Sequence, residues 1–326
     1  MINRRRAVFI AVVLACLLAG FTAGVYVGKS RGIPFVTMQG EWSIGIYTGD
    51  SPFNLSPPGN VQNPVLTAAD VTDITADFVS DPFMLREGST WYMFFEVWNT
   101  PAGQGDIGLA TSSDGLNWDY KQIVLDEAFH LSYPYVFKWK DEYYMIPEAH
   151  QTGSVRLYRA VDFPVRWVFV RTLLYGSHVD PSVFRYNGMW WMFTGADPVA
   201  NNVLRLYYAA DLMGPWTEHP VSPVIDGDAN TARPGGRVLV LDGRIIRYTQ
   251  DDEPTYGNQV RAFEITELTT ASYKERELPG SPVLKPGGSR WNRDGMHTID
   301  AHKVDDGGWM AVVDGKRDGL VFGFYH

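Results

Sequence analysis

The sequence predicts an all-β protein: a five-bladed β-propeller preceded by a single N-terminal transmembrane helix. Three observations carry this reading. A strand–turn–strand unit recurs along the chain, tryptophans follow it at constant spacing, and a charge-free apolar run lies near the N-terminus. Composition agrees, with 11 Trp, 17 Tyr and 17 Phe beside 32 Gly and 20 Pro. Aromatics favour pleated, half-buried surfaces, and Gly and Pro punctuate turns, so many short strands are expected.

The repeat is legible residue by residue. Ser80-Asp81-Pro82-Phe83 opens a strand, the chain turns at Glu87-Gly88, and Trp91 to Glu96 returns. Ser132-Tyr133-Pro134-Tyr135 opens the next unit and Tyr143 to Glu148 returns after Lys140-Asp141. Val179-Asp180-Pro181-Ser182 opens a third, turning at Asn187-Gly188, and Ala232-Arg233-Pro234-Gly235 a fourth, turning at Asp242-Gly243. A less regular fifth starts at Met296-His297, turns at Asp306-Gly307 and returns from Trp309 to Asp314. Pro82, Pro134, Pro181 and Pro234 lie 52, 47 and 53 residues apart, a period suited to four-stranded propeller blades. Trp118, Trp167 and Trp216 mark the fourth strands at a spacing of 49. The fifth unit runs out of chain after its third strand. Glu41 to Gly49 alternates like a strand and is expected to complete the last blade, leaving no long bare edge.

Ala7 to Val27 is a charge-free run of 21 residues, long enough to span a hydrocarbon core as a helix. Arg4, Arg5 and Arg6 precede it, which puts them in the cytoplasm and the rest of the chain outside. A cleaved signal peptide, or lipidation at Cys16, would export the domain equally. The domain layout is therefore an anchor at 1–31, a tether at 32–40 and the propeller at 41–326, in a single-pass protein of the cell membrane. Cys16 is the only cysteine, so the fold has no disulfide framework.

The whole chain carries a net charge of −9, and removing the five basic groups of its first 31 residues leaves −14. That disfavours nucleic acid, whose phosphates need a basic face. No phosphate-cradling loop, metal-ligand spacing or nucleophile elbow is present, so no metal and no cofactor are expected.

In a blade the start of the first strand and the end of the second share one face of the disc. That register gathers Asp81, Glu96, Tyr133, Glu148, Asp180, Arg233, Gln250, Asp251, His297 and Asp314 at one mouth of the channel. Glycoside hydrolysis needs two carboxyl groups with separated proton affinities, and clustered like charges separate them. Asp81, Glu148 and Asp180 are the candidate catalytic carboxyl groups. Glu96, Tyr133, Arg233, Asp251, His297 and Asp314 are the expected substrate contacts, with Tyr133, Trp98, Trp190 and Trp191 offering stacking faces. Asp-Pro starts also serve as turn devices, and most of the tryptophans are expected to pack blades together.

Several motifs together resemble a known family. They are Asp81-Pro82-Phe83, His130 to Tyr135, Tyr144 to Glu148, Gly214-Pro215-Trp216, Ala232 to Gly236 and Gly295 to Asp300. They are similar to the propeller domain N-terminal in plant glucosamine inositolphosphorylceramide transferases and in bacterial relatives. That domain in turn is similar to family-43 and family-32 type five-bladed glycosidases. The resemblance covers Trp42 to Gly315 and implies a carbohydrate-related role. It matches Asp81 to the base and Asp180 to the orienting, tuning position of family-43 type enzymes. Arg233 opens the blade where those enzymes carry the acid, so Glu148 from the second blade is the acid that the resemblance implies. Two functions follow as expectations: an extracytoplasmic glycoside-processing enzyme, or a non-catalytic glycan-binding ectodomain. The partner is a carbohydrate or glycolipid, and the protein a monomer.

Overall fold

The computed structural model describes residues 10, 12–18, 20, 36–288, 291–305 and 307–322. The run Ala7 to Val27 falls largely outside them, and among the described residues no helix is long and apolar enough to cross a membrane. The body from Trp42 to Arg317 is a five-bladed propeller.

Blade one is Ala76–Glu87, Thr90–Asn99, Gln104–Ser112 and Asp119–Leu125, in that order from the channel outward. Blade two is Ser132–Trp139, Glu142–Glu148, Ser154–Asp162 and Arg166–Tyr175. Blade three is Val179–Tyr186, Met189–Gly195, Val203–Ala209 and Thr217–Glu218, with Ile225–Asp226 also pairing to the third strand. Blade four is Leu239–Leu241, Arg244–Asp251, Gln259–Leu268 and Tyr273–Glu277. Blade five takes Ile299–Lys303 and Trp309–Phe322 from the C-terminal end of the fold, then Val36–Ser51 and Asn54–Ser56 from its start.

The closing strand is thus where the alternation of Glu41 to Gly49 put it, but the strand count differs. The chain after Met296 supplies two strands, because Trp309–Phe322 runs through without a turn, and the early segment supplies the third and fourth.

Local chemistry explains the regularity. Asn187-Gly188 and Asp242-Gly243 have φ of 48° and 80°, and 49° and 81°. Their flanking residues pair directly, Tyr186 with Met189 and Leu241 with Arg244, as two-residue hairpins with φ > 0 require. The spaced tryptophans each cap a nearby carbonyl with the indole N–H. Trp118 Nε1 donates to Gly115 at 2.9 Å, Trp167 Nε1 to Pro164 at 2.9 Å and Trp216 Nε1 to Leu212 at 3.1 Å.

The inner strands of blades one to three share a device that shapes the mouth. Their registers slip between Ser80 and Phe83, between Ser132 and Tyr135, and between Val179 and Ser182. At each bulge a non-glycine residue takes the left-handed region: Asp81 at φ 52°, Tyr133 at 45° and Asp180 at 49°. Each such residue costs about 1–3 kcal/mol, so the surrounding packing must enforce it. A bulge re-aims the side chain it carries. In blade four the segment Arg233 to Gly236 replaces the missing start of the inner strand. Gly236 sits at φ 147°, and a Cβ there would lie 1.9 Å from the Ile299 carbonyl oxygen, so glycine alone lets blades four and five approach.

Candidate functional site

The mouth is built from all five blades and divides into two linked groups. The first joins blades one and five. Thr298 Oγ1 donates to Asp81 Oδ1 at 2.7 Å, and His297 Nε2 lies 3.4 Å from the same oxygen. His297 Nδ1 lies 2.7 Å from Asp314 Oδ2, and Asp314 also accepts the backbone N–H groups of Asp81, His297 and Thr298, each at 3.0 Å. The imidazole stacks on Trp42 with centroids 4.0 Å apart. Burial opposes its charge, but Asp314 and Asp81 outweigh it and raise His297 to about 9. Burial raises Asp81 to about 6 against the pull of His297, with Asp180 and Asp314 adding to the rise.

The second group joins blades two, three and four. Arg233 Nε donates to Asp180 Oδ2 at 2.5 Å and its Nη2 to Oδ1 at 3.4 Å, while Gln250 Nε2 donates to Oδ2 at 2.7 Å. Glu148 Oε2 accepts the Asp180 backbone N–H at 3.2 Å and lies 3.6 Å from Arg233 Nη2, and its Oε1 lies 2.8 Å from His150 Nδ1. Burial pushes Asp180 up to about 7 despite Arg233, with the neighbouring Glu148 carboxylate helping. Glu148 goes the other way: against burial, the His150 hydrogen bond, Arg233 and Asp180 hold it below the usual carboxylate value.

Glu96 stands at the seam of the two groups. Ser80 Oγ donates to its Oε2 at 2.6 Å, and His130 Nε2 is 3.7 Å from its Oε1. Burial, then the charges on Asp81 and Glu148, raise it well above the usual carboxylate value. His130 offers it no cationic help. Its Nδ1 accepts the Gly105 N–H at 2.8 Å, and burial with His150 and Arg233 nearby lowers it to about 4.

The chain from 36 to 316 matches the family described as "Glucosamine inositolphosphorylceramide transferase 1, N-terminal". Glucosamine inositolphosphorylceramide transferase 1 of Oryza sativa subsp. japonica is 40% identical over 300 residues, covering 86% of this chain and 40% of that protein. The Arabidopsis thaliana protein of the same name is 36% identical over 300 residues, covering 86% of this chain and 39% of its own. The chain belongs to this N-terminal domain family. It spans about 40% of the length of the curated relatives it matches. Among solved structures, a glycosyl hydrolase from Bacteroides ovatus superposes with a TM-score of 0.58 at 13% identity, covering 81% of this chain and 92% of that one. The catalytic domain of the Coprinopsis cinerea GH62 α-L-arabinofuranosidase gives 0.56 at 14% identity, covering 81% and 84%. At such identities the likeness is one of fold.

In this member of the glucosamine inositolphosphorylceramide transferase 1 N-terminal family, the mouth brings together Asp81, Glu96, Glu148, Asp180, Arg233, Gln250, His297 and Asp314. Two of the sequence-derived residues lie elsewhere. Asp251 follows Gln250, so strand alternation turns it to the other face of the blade, where Gln259 Nε2 and Arg261 Nε hold its Oδ2 at 2.7 and 2.8 Å. Tyr133 points along the channel: its hydroxyl accepts the Gly236 N–H at 2.7 Å and lies 2.8 Å from Ser182 Oγ. Being fully buried, Tyr133 offers no stacking face, and neither do Trp190 and Trp191, which are packed inside blades. Trp98 does stand partly open at the rim, stacked on Phe78.

Four contributors escaped the strand register. Trp42 comes from the closing strand, and His130, His150 and Tyr256 from loops on the mouth face. The Tyr256 ring lies 5.1 Å from the Arg233 guanidinium carbon and 5.4 Å from the His297 ring. The signal available for it was positional, since loops that follow second strands emerge at this mouth. Among the described residues, Asp81, His297 and Asp314 also offer ligand atoms within 4.8 Å of one another, a spacing that would suit a cation. The fit is poor while the ring is an imidazolium, because both of its nitrogens then carry protons.

Proposed function

We propose that the mouth binds a carbohydrate and cleaves a glycosidic bond, with Asp81 as general base and Glu96 as general acid. The feature that carries this reading is the divergence of buried carboxyl groups in one mouth: burial pushes Glu96 well above the usual carboxylate value and Asp81 up to about 6, while His150 and Arg233 hold Glu148 below it. Two carboxyl groups with separated proton affinities are what glycoside hydrolysis requires. In the proposed reaction Asp81 takes a proton from water as its oxygen bonds to the anomeric carbon. The glycosidic C–O bond breaks, and the leaving oxygen receives the Glu96 proton. Glu148 is less suited to the acid role that its strand position suggests, because Arg233 and His150 stabilise its charge. Asp180, Arg233 and Gln250 act as a rigid clamp for substrate hydroxyls, and His297 orients Asp81.

The names of the relatives support a glycolipid as the natural ligand, and the run Ala7 to Val27 supports a single-pass anchor with the propeller (41–326) outside the cytoplasm. A second reading, glycan binding without turnover, draws on Arg233, which engages Asp180 and approaches Glu148 as a clamp would.

The test is a glycan panel incubated with the full chain in detergent micelles, with new reducing ends detected. Release is expected from wild type and is expected to vanish in Asp81→Asn and Glu96→Gln while binding persists, because an amide keeps the shape but not the proton chemistry. Binding by wild type without release would favour the second reading. Recovery of the uncleaved chain in the soluble phase after membrane fractionation would exclude the anchor.

A further inference from the structure

We propose that the hollow beside the mouth, between blades three and four, is a second sugar subsite that prefers a neutral or amine-bearing ring over an acidic one. The proposal rests on the carbohydrate reading of the mouth and extends it to an oligosaccharide ligand. The hollow measures about 690 Å³ and is lined by Asn201, Asn202, Asn230, Asp252, Glu253 and Tyr256 among others. That volume is typical of a small-ligand pocket, where about 300–1,000 Å³ is usual.

Its chemistry is one-sided. No Lys, Arg or His lines it, and its charged lining residues are the carboxylates Asp228, Asp252 and Glu253, which disfavour an acidic sugar or a phosphate. Asp252 is 8% exposed, and its backbone N–H is pinned to the Ala229 carbonyl at 3.0 Å. Its Oδ1 accepts the Gly257 N–H at 2.8 Å, while its Oδ2 is buried with no hydrogen-bond partner. A buried acceptor left bare is uncommon, and here it awaits a donor. A sugar hydroxyl or ammonium supplies one. Asp228 is not in this position: Asn230 and Thr231 already occupy its oxygens, and it serves to shape the wall.

Tyr256 provides the platform. It is 40% exposed, yet its ring lies over Arg233 and edge-on to Trp42, and Lys316 Nζ holds its carbonyl at 2.7 Å. An aromatic held in place with part of its ring open is suited to stacking a sugar. Asn201 ties the hollow to the mouth, since its Oδ1 accepts Arg233 Nη1 at 3.0 Å. A ring in the mouth and its neighbour in the hollow would meet at Tyr256 and Asn201, which Arg233 backs from the mouth side.

The test uses the full chain in detergent micelles on an array of neutral, amine-bearing and uronate sugars, each from monosaccharide to hexasaccharide. Two variants accompany wild type. Ala200→Trp fills the hollow from an exposed position outside the mouth, and Asp252→Asn keeps an acceptor for Gly257 but replaces the bare oxygen with a donor. Wild type is expected to bind neutral or amine-bearing oligosaccharides about tenfold more tightly than the matching monosaccharide. Each variant is expected to remove that gain and leave monosaccharide binding within about twofold. Equal binding of monosaccharides and oligosaccharides by wild type, a preference for uronates, or folded variants that keep the gain would overturn the subsite alone. Failure of wild type to bind any sugar would overturn both it and the reading of the mouth.

Discussion

At the mouth, Asp81, Glu96, Glu148, Asp180 and Asp314 face Arg233, His297 and His150. Three residues past His297 and four past Arg233, Asp300 faces Arg237 and His302. Both groups are buried, and both join blades. In the deeper one every contact answers another. Arg237 Nε and Nη2 reach Asp300 at 2.6 and 3.1 Å, and Nη2 also donates to the Val136 carbonyl at 2.9 Å. Asp300 further accepts the Met84 N–H at 2.7 Å and lies 3.1 Å from His302 Nε2. Against burial, Arg237 and His302 hold Asp300 well below the usual carboxylate range. Arg237 and Asp300 thereby staple blades one, two, four and five across the channel. The mouth keeps an excess of acid instead, and Asp81 and Asp180 move up to about 6 and 7. Buried charge by itself therefore does not mark a site. Incomplete pairing does, because it leaves proton affinities free to diverge.

The largest expected effect breaks the staple. Arg237→Gln leaves a buried carboxylate without its cation and is expected to cost about 3–5 kcal/mol, read from the denaturant midpoint. A loss below about 1 kcal/mol would mean that Arg237 does not hold the blades together. Arg233→Gln is expected to cost less, about 1–3 kcal/mol, because Asp180 can take up a proton when its cation is removed. The loss should be smaller at pH 5 than at pH 8, whereas that of Arg237→Gln should change little over the same interval.

Acid and base titration sharpens the contrast. Asp81 and Asp180 have folded-state values raised from 3.8 to about 6 and about 7, so they favour the folded state below 3.8 and lose that contribution as pH rises through 6 and 7. His297, raised from 6.5 to about 9, contributes below 6.5 and loses its contribution as pH rises through 9. Asp300 is depressed, so its contribution is present above 3.8 and lost as pH falls below it. Asp81, Asp180 and His297 should thus weaken the fold toward high pH, and Asp300, with Glu148 at the mouth, toward low pH. Asp81→Asn should flatten the slope of unfolding free energy between pH 4 and 6 and leave the acid limb unchanged. An unchanged slope would place the titration elsewhere.

Much of this was legible in the sequence. The recurring prolines, the two-residue turns and the tryptophan spacing marked the blades because each reports a local backbone requirement. The register that put Asp81, Glu148, Asp180 and His297 at one mouth follows from strand pairing alone. What was not legible depends on distance between blades. Nothing in the sequence around Asp300 announces Arg237 as its cation, since that contact spans 63 residues. Asp251 looked equivalent to Gln250 until side-chain alternation was resolved, and Tyr256 sits in a loop whose path no periodicity encodes. The proton affinities of Glu96 and Glu148 differ through His150, two residues past Glu148, and through Arg233, which another blade supplies.

The most direct test compares the two arginines on one readout. Full chains carrying Arg233→Gln or Arg237→Gln are placed on the glycan array at a temperature where each is folded by circular dichroism. Arg233→Gln is expected to lose glycan binding while staying folded, and Arg237→Gln to bind as wild type does. Wild-type binding by Arg233→Gln, or loss of binding by folded Arg237→Gln, would contradict the assignment of the mouth as the site and the deeper pair as the staple.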